Sequence, residues 1–324
     1  MKKILGLLIA LVLVFSFAGC GTKAPSTSLR GDLNGDGVIR VGILEFIQQA
    51  SLDLTQQGIT DYLASQGYDA NSIVLDIQNG TGDPGITNTM AQKLVNDGCD
   101  IIIAIATPAA QAVYSATAGT KIPVIYTAVS DPVSAGLTDN SRTTGVSDML
   151  DTKTSVDLVK QLLPNAKTIG VVHNSAEVNS MTEVANLKVA AEAQGLNVVD
   201  NTIETPDEIP LAVDNVLAKS DVIVCMLDNM VASAMDVVCG KADAAGKVVI
   251  GSEASQVNQG AVASVGADYY KVGQQTGGMA LSVLQGINIS TIGPAKASGV
   301  TVTVNKTIAD KYGIPIPTDA VVVQ

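Results

Sequence analysis

Oxygen-rich side chains gather where apolar runs of this chain end. "VSDP" carries Ser130 and Asp131, "HNSAEVNS" carries His173, Asn174, Glu177, Asn179 and Ser180, "CMLDN" carries Asp228 and Asn229, and "VIGSEAS" carries Glu253. "LEF" adds Glu45 and Phe46, Thr107 stands before Pro108, and Tyr126 lies one run earlier than Ser130. Hydroxyls, amides and carboxylates of this kind can hold a small zwitterion. Free N–H groups at helix starts and Ser or Thr hydroxyls would take its carboxylate. Asp or Glu would take its ammonium, and Phe46 and Tyr126 would line a slot for its apolar part. The same side chains are also good N-caps, so at single positions such as Ser130, Asn174 or Asp228 capping and ligand contact both stay open.

Other chemistries fit less well. The chain has one histidine, His173, too few for a Ser–His catalytic pair or a His-built metal site. Its net charge of −12 and lack of a basic stripe speak against nucleic acid. The sequence contains no Trp and, beyond residue 17, a single Phe, which weighs against a sugar site built on stacking. A two-lobed racemase would need a cysteine from each lobe at the strand ends. Cys99 precedes its apolar run and Cys225 lies inside one, so buried, inert thiols are expected there and at Cys239. "DLNGDGVI" starts like a calcium loop, but its twelfth position is Ile43, so a turn is expected instead. "GTGDPG" matches a dinucleotide fingerprint but follows the second strand and lacks the acidic partner. Asp83 as N-cap and Pro84 at the first helical position account for it. No metal, cofactor or catalytic residue is expected.

The elements that must position these residues alternate. Strand-like runs begin near residues 40, 73, 100 and 123, and again near 168, 197, 221 and 247, with helical patterns between them. Runs such as "IIIAIA" are apolar throughout, as parallel strands covered on both faces are. The pattern predicts an α/β chain of two doubly wound, Rossmann-like lobes joined by a hinge. The first lobe is expected over 39–143, the second over 144–251, and a return segment over 252–324 mostly completing the first. In open α/β sheets ligands sit at the carboxyl ends of the strands, where the oxygen-rich side chains lie. Ahead of the lobes, Lys2, Lys3 and an apolar run to Ala18 read as a signal peptide over 1–19. Losing its two lysines would take the net charge of −12 to −14. Residues 20–38 read as an anchor cysteine and a tether. "FAGC" resembles a bacterial lipobox, which implies cleavage before Cys20, lipid on its thiol, and a place outside the cytoplasm at a membrane surface.

"VGILEFIQQASLD", "AIATPAAQAV", "PVIYTAVSDPVSAGL", "TTGVSDMLD", "SAEVNS", "LDNMV" and "GAVASVGADYYKVGQQTGGMAL" together resemble the bacterial ABC-transporter substrate-binding lipoproteins related to tryptophan and aromatic amino-acid receptors. The resemblance covers nearly all of 39–323. It implies a type I periplasmic-binding fold, no catalysis, and delivery of a ligand to a membrane permease with its ATPase. It also implies Thr107, Ser130 and Asp131 in the first-lobe wall, with Glu177, Asn179, Ser180, Asp228 and Asn229 opposite. On this reading Asp228 takes the ammonium of an aromatic or apolar amino acid, and Ser130, Asn179 and Ser180 help hold its carboxylate. The family pattern has Gln at Glu45, His-Pro at Gln49-Ala50 and Tyr at His173, so the ligand side chain is where this chain should differ. A sensory receptor, or a receptor for a sugar or nucleoside, would use the same architecture.

Overall fold

The computed structural model describes residues 31–324. Cys20, the signal segment and most of the tether lie outside the described residues. A turn opens the described chain. The Asp32 carboxylate accepts the N–H groups of Gly35, Asp36 and Gly37 at 2.6–3.1 Å, which leaves it committed to backbone, as a turn requires.

The first lobe begins with β1 (Arg40–Glu45), α1 (Ala50–Ser65), β2 (Val74–Asn79), α2 (Pro84–Asn96), β3 (Ile101–Ile105), α3 (Thr107–Ala116), β4 (Val124–Thr127) and β5 (Thr143–Ser147). Asp83 caps α2 through Ile86 N–H at 2.8 Å, with Pro84 in the first turn. The second lobe holds α4 (Thr152–Leu162), β6 (Thr168–Asn174), α5 (Val178–Ala193), β7 (Asn197–Ile203), α6 (Ile209–Leu217), β8 (Val222–Val224), α7 (Asn229–Ala232), α8 (Met235–Ala244), β9 (Val249–Gly251), α9 (Ala254–Asn258) and β10 (Ala263–Ala267). The chain then returns to the first lobe with α10 (Tyr269–Leu284) and β11 (Ala295–Lys296), and ends in the second with β12 (Val300–Asn305), α11 (Lys306–Tyr312) and β13 (Val321–Val323).

Each lobe is built on one sheet. The orders are β11-β5-β4-β3-β1-β2 and β13-β12-β10-β9-β8-β6-β7. All pairs are parallel except β10 with β12. Both sheets carry the doubly wound order, with the strand direction of progression reversing between β1 and β3 and between β6 and β8, so each opens a crevice at its carboxyl edge. The expected boundaries need two corrections. The first lobe extends through β5, four residues past 143, because Thr143–Val146 pair with Val124–Thr127. The return segment divides: α10 and β11 complete the first lobe, but β10, β12, α11 and β13 belong to the second. An apolar alternating strand carries no mark of which sheet it will pair with. The antiparallel ladder of Ala263–Ala267 with Val300–Val304 decides it.

Three crossings follow, at 148–151, 268 and 297–299, and they form the hinge. The helix returning after the second crossing is held hard against the first lobe. A Cβ added to Gly58 of α1 would lie 2.2 Å from Tyr270 O, and one added to Gly273 of α10 would lie 2.1 Å from Thr55 O. The two helix backbones touch through glycine.

Candidate functional site

The strand ends meet in one cavity between the lobes. From the first lobe come Gln49 and Leu52 of the β1–α1 turn and α1, Thr107 at the start of α3, and Ala128 and Ser130 after β4. The crossings add Asp148 and Tyr269. From the second lobe come Asn179, Leu227, Asp228, Asn229, Ala232, Glu253 and Gln256. The free volume among these side chains is about 20 Å³, enough for about one water.

The backbone is arranged to present donors here. Ala106, the N-cap of α3, has φ +78° and offers no capping side chain, so the first-turn N–H groups of α3 are left for something else. Ala128 after β4 also has positive φ, +52°. Such conformations cost on the order of 1–3 kcal/mol each for a non-glycine residue and cluster at binding sites. Gln256 adds a side-chain donor. Its Oε1 accepts Ser252 N–H at 2.9 Å, which fixes the amide and leaves the buried Nε2 without a partner.

Unpartnered acceptors line the same cavity. Asp148 is buried, takes the Tyr269 hydroxyl on Oδ2 at 2.6 Å, and has no partner for Oδ1. Asn179 donates Nδ2 to Leu227 O at 2.8 Å and to Glu177 Oε2 at 3.2 Å, which fixes its Oδ1 as an unpartnered acceptor. Gln49 donates Nε2 across the cleft to Asn229 Oδ1 at 3.2 Å and leaves Oε1 unpartnered. Unpaired buried oxygens are costly, and several facing one space call for a multivalent donor such as an ammonium.

Burial governs the acids. It raises the Asp148 carboxyl above the usual carboxylate range and pushes Glu253 up to about 7. Glu183 of α5, behind the wall, is pushed up to about 8 by burial, and Glu177 to about 7 by burial and then by Asp228. The folded protein therefore keeps protons that the unfolded chain gives up above 4.5. The stability of the ligand-free protein should fall as pH rises from about 5 to 8. Thermal unfolding across that range checks this, and a rising melting temperature would contradict it.

The residues singled out in the sequence separate into groups. Thr107, Ser130, Asn179, Asp228, Asn229 and Glu253 line the cavity. Asn174, Glu177 and Ser180 stand one layer behind. Asn174 N–H and Ser180 Oγ each reach Asp228 Oδ2 at 2.5 Å, and Val231 N–H reaches Oδ1 at 2.9 Å, so both oxygens of Asp228 are occupied. Glu177 accepts Asn229 Nδ2 at 2.5 Å and fixes it. Glu45 and Phe46 are buried beside β1 and do not reach the cavity, Phe46 packing in the first-lobe core. Burial and then Asp53 push Glu45 up to about 8. Tyr126 and Asp131 border a separate depression with Val133 and Lys296. Asp131 is taken up by the N–H groups of Val133 and Ser134. His173 lies buried with Nε2 3.1 Å from Asp200 Oδ2. Gln49 was marked only as a departure from the family pattern, and Asp148, Gln256 and Tyr269 were not expected in the site. Each sits one to five residues past a strand end, the one signal that could have found them.

Comparison with known proteins decides the family. Residues 40–324 match the family of ABC transporter substrate binding proteins. The chain belongs to this family. A curated relative, the "Tyrosine-binding protein" of Clostridioides difficile (strain R20291), is 36% identical over 300 residues, 90% of this chain and 86% of the relative. An ABC domain from Streptococcus pneumonia in complex with L-Trp is 36% identical, with a TM-score of 0.84 over 88% of this chain and 100% of that one. A substrate-binding protein from Clostridium difficile with adhesive properties, ligand-free and open, is also 36% identical but has a TM-score of 0.67 over 89% of this chain and 99% of that one. In this chain the Gln49–Asn229 hydrogen bond spans the cleft. The architecture is that of the type I periplasmic-binding proteins. Such a protein is the extracytoplasmic, non-enzymatic partner of an ABC transporter. Among the described residues no helix is long and apolar enough to cross a membrane.

Proposed function

We propose that the cleft binds one free α-amino acid with an aromatic side chain and presents it to the membrane permease and its ATPase. The observation that carries this is the cluster of unpartnered acceptors, Asp148 Oδ1, Asn179 Oδ1 and Gln49 Oε1, facing one space with the donors of the α3 N-terminus, Ser130 and Gln256 Nε2. Asp148, rather than Asp228, takes the ammonium, because both oxygens of Asp228 already accept hydrogen bonds. Thr107, Ser130 and the N–H groups of α3 take the carboxylate. Leu52, Leu227, Ala128, Ala232 and the Tyr269 ring supply the apolar lining for the side chain. The relatives whose names give tyrosine and L-Trp support an aromatic ligand. Lipid on Cys20 would tether the protein beside its transporter. Binding is by hinge closure, since the two halves of the site belong to different lobes.

Thermal unfolding of the protein from Gly21 onward against the amino acids tests the proposal, with sugars and nucleosides as controls. A ligand at 100 times its Kd adds about 2.7 kcal/mol, a rise of several degrees. The expected result is a rise with Tyr, Trp or Phe. A rise only with a sugar or nucleoside would overturn it.

A further inference from the structure

The hydrogen bond across the cleft joins two unlike halves. On the second lobe Asn229 opens α7 and is buried. Its Nδ2 donates to Glu177 Oε2 at 2.5 Å, and its backbone N–H to the same oxygen at 3.3 Å. Glu177 is held in turn by Asn174 Nδ2 and Met230 N–H on Oε1, at 3.2 and 3.3 Å, and by Asn179 Nδ2 on Oε2 at 3.2 Å. The Asn229 amide cannot turn over without losing Glu177, so its Oδ1 is displayed to the first lobe as a fixed acceptor. On the first lobe Gln49 stands at the N-cap of α1, yet its side chain caps nothing. Glutamine is not among the residues that cap well. Its half-buried side chain reaches the other way, and Nε2 donates to Asn229 Oδ1 at 3.2 Å.

The second observation is the space that this bond leaves. Both residues line the cavity, whose free volume is about 20 Å³ with the bond made. A benzene ring takes an apolar cavity of about 150 Å³, and an aromatic amino acid is larger than its ring. The bond and such a ligand therefore do not fit the cleft together in this arrangement. Gln49 and Asn229 belong to different lobes, so rotation of the lobes about the crossings widens the cavity and breaks the bond in one movement.

We infer that Gln49 and Asn229 form a self-latch: the cleft closes on its own hydrogen bond, and an amino acid enters only from the state in which that bond is broken. Latch and ligand compete. The unlatched fraction of the protein is the one competent to bind, and the apparent affinity is lowered by that fraction. A neutral hydrogen bond of this kind shifts the balance by about two- to tenfold. Asn229 thus opposes binding although it lines the cavity, and Glu177 is the positioning residue that holds its Oδ1 toward Gln49. The inference rests on the amino-acid reading for the identity of the competitor, whereas the latch itself does not depend on it.

Small-angle X-ray scattering of the protein from Gly21 onward reads the latch, and titration with L-tryptophan reads the competition. The chain contains no Trp, so the fluorescence of the ligand itself reports binding. Wild type without ligand should scatter as a closed particle, with a radius of gyration close to that in saturating L-tryptophan. Asn229→Ala should be larger without ligand and contract on its addition. It should also bind L-tryptophan about two- to tenfold more tightly, through faster association. Its folding is checked by its unfolding midpoint. Gln49→Ala leaves Glu177 and α7 untouched and repeats the scattering without ligand should Asn229→Ala fail to fold. A wild type as open as the variants without ligand would overturn the inference. So would weaker binding by a folded Asn229→Ala, because the bond would then belong to the ligand-bound state. If neither L-tryptophan nor any other amino acid binds, the amino-acid reading falls, while the scattering without ligand still decides the latch.

Discussion

Replacing Asp148 by asparagine is expected to weaken binding of L-tyrosine or L-tryptophan by about 100-fold, the loss usual when one partner of a buried, hydrogen-bonded charge pair is removed. The ligand-free protein should fold as before. Asparagine is nearly isosteric, its amide can still take the Tyr269 hydroxyl that now reaches Oδ2 at 2.6 Å, and it brings no charge to be buried. Its stability should also change less with pH, because burial holds the native Asp148 protonated where the unfolded chain ionises. Asp228→Asn should behave in the opposite way. Its two oxygens accept Asn174 N–H, Ser180 Oγ and Val231 N–H, so the substitution disrupts the capping of α7 and costs stability before it costs ligand. Titration and chemical unfolding of both variants separate the roles. Binding lost in Asp228→Asn with stability intact, and kept in Asp148→Asn, would return the ammonium to Asp228.

The second large effect is structural. Gly273→Ala should destabilise the protein by about 3 kcal/mol or more, the upper range for overpacking a rigid contact. The added Cβ would lie 2.1 Å from Thr55 O and 2.9 Å from the Gly58 Cα, and neither is a side chain that could turn aside. The helices α1 and α10 must then separate, and α10 is the element that follows the second crossing and carries Tyr269 to the cavity. Denaturant unfolding measures the loss. Gly278→Ala on the same helix is the control, because its Cβ would meet only the outer Tyr62 ring, at 3.6 Å or more. Similar stability for the two variants would contradict the close backbone approach.

The difference between Gly273 and Gly278 is invisible in "VGQQTGG", and it marks where sequence reasoning runs out. Most strands were legible because they contain apolar runs ended by Gly, Pro or a capping side chain, whereas the polar β5, "TTGVS", looked like the break between lobes. "IIIAIA" could be little else than a buried parallel strand. Six of the expected site residues line the cavity for a related reason, as strand ends of doubly wound sheets converge. The errors arose where tertiary contact decides. Asn174 and Ser180 look the same in sequence whether they face a ligand or Asp228. Phe46 and Tyr126 are apolar enough for core or slot, and side-chain direction past a strand end is set by the turn. Asp148 was hidden in "GVSDML" because it caps nothing and follows β5, whose exit is a crossing rather than a helix of its own lobe. Glu183 lies mid-helix, where an acid ordinarily faces water.

The most direct test of the account compares L-tyrosine and L-tryptophan with the same molecules lacking the amino group, by calorimetric titration into the protein from Gly21 onward. The account predicts one molecule of an aromatic amino acid per chain and no measurable binding of its deaminated acid, because the orphaned oxygens of Asp148, Asn179 and Gln49 would stay unpaired. Equal binding of both, or binding of neither, would contradict it.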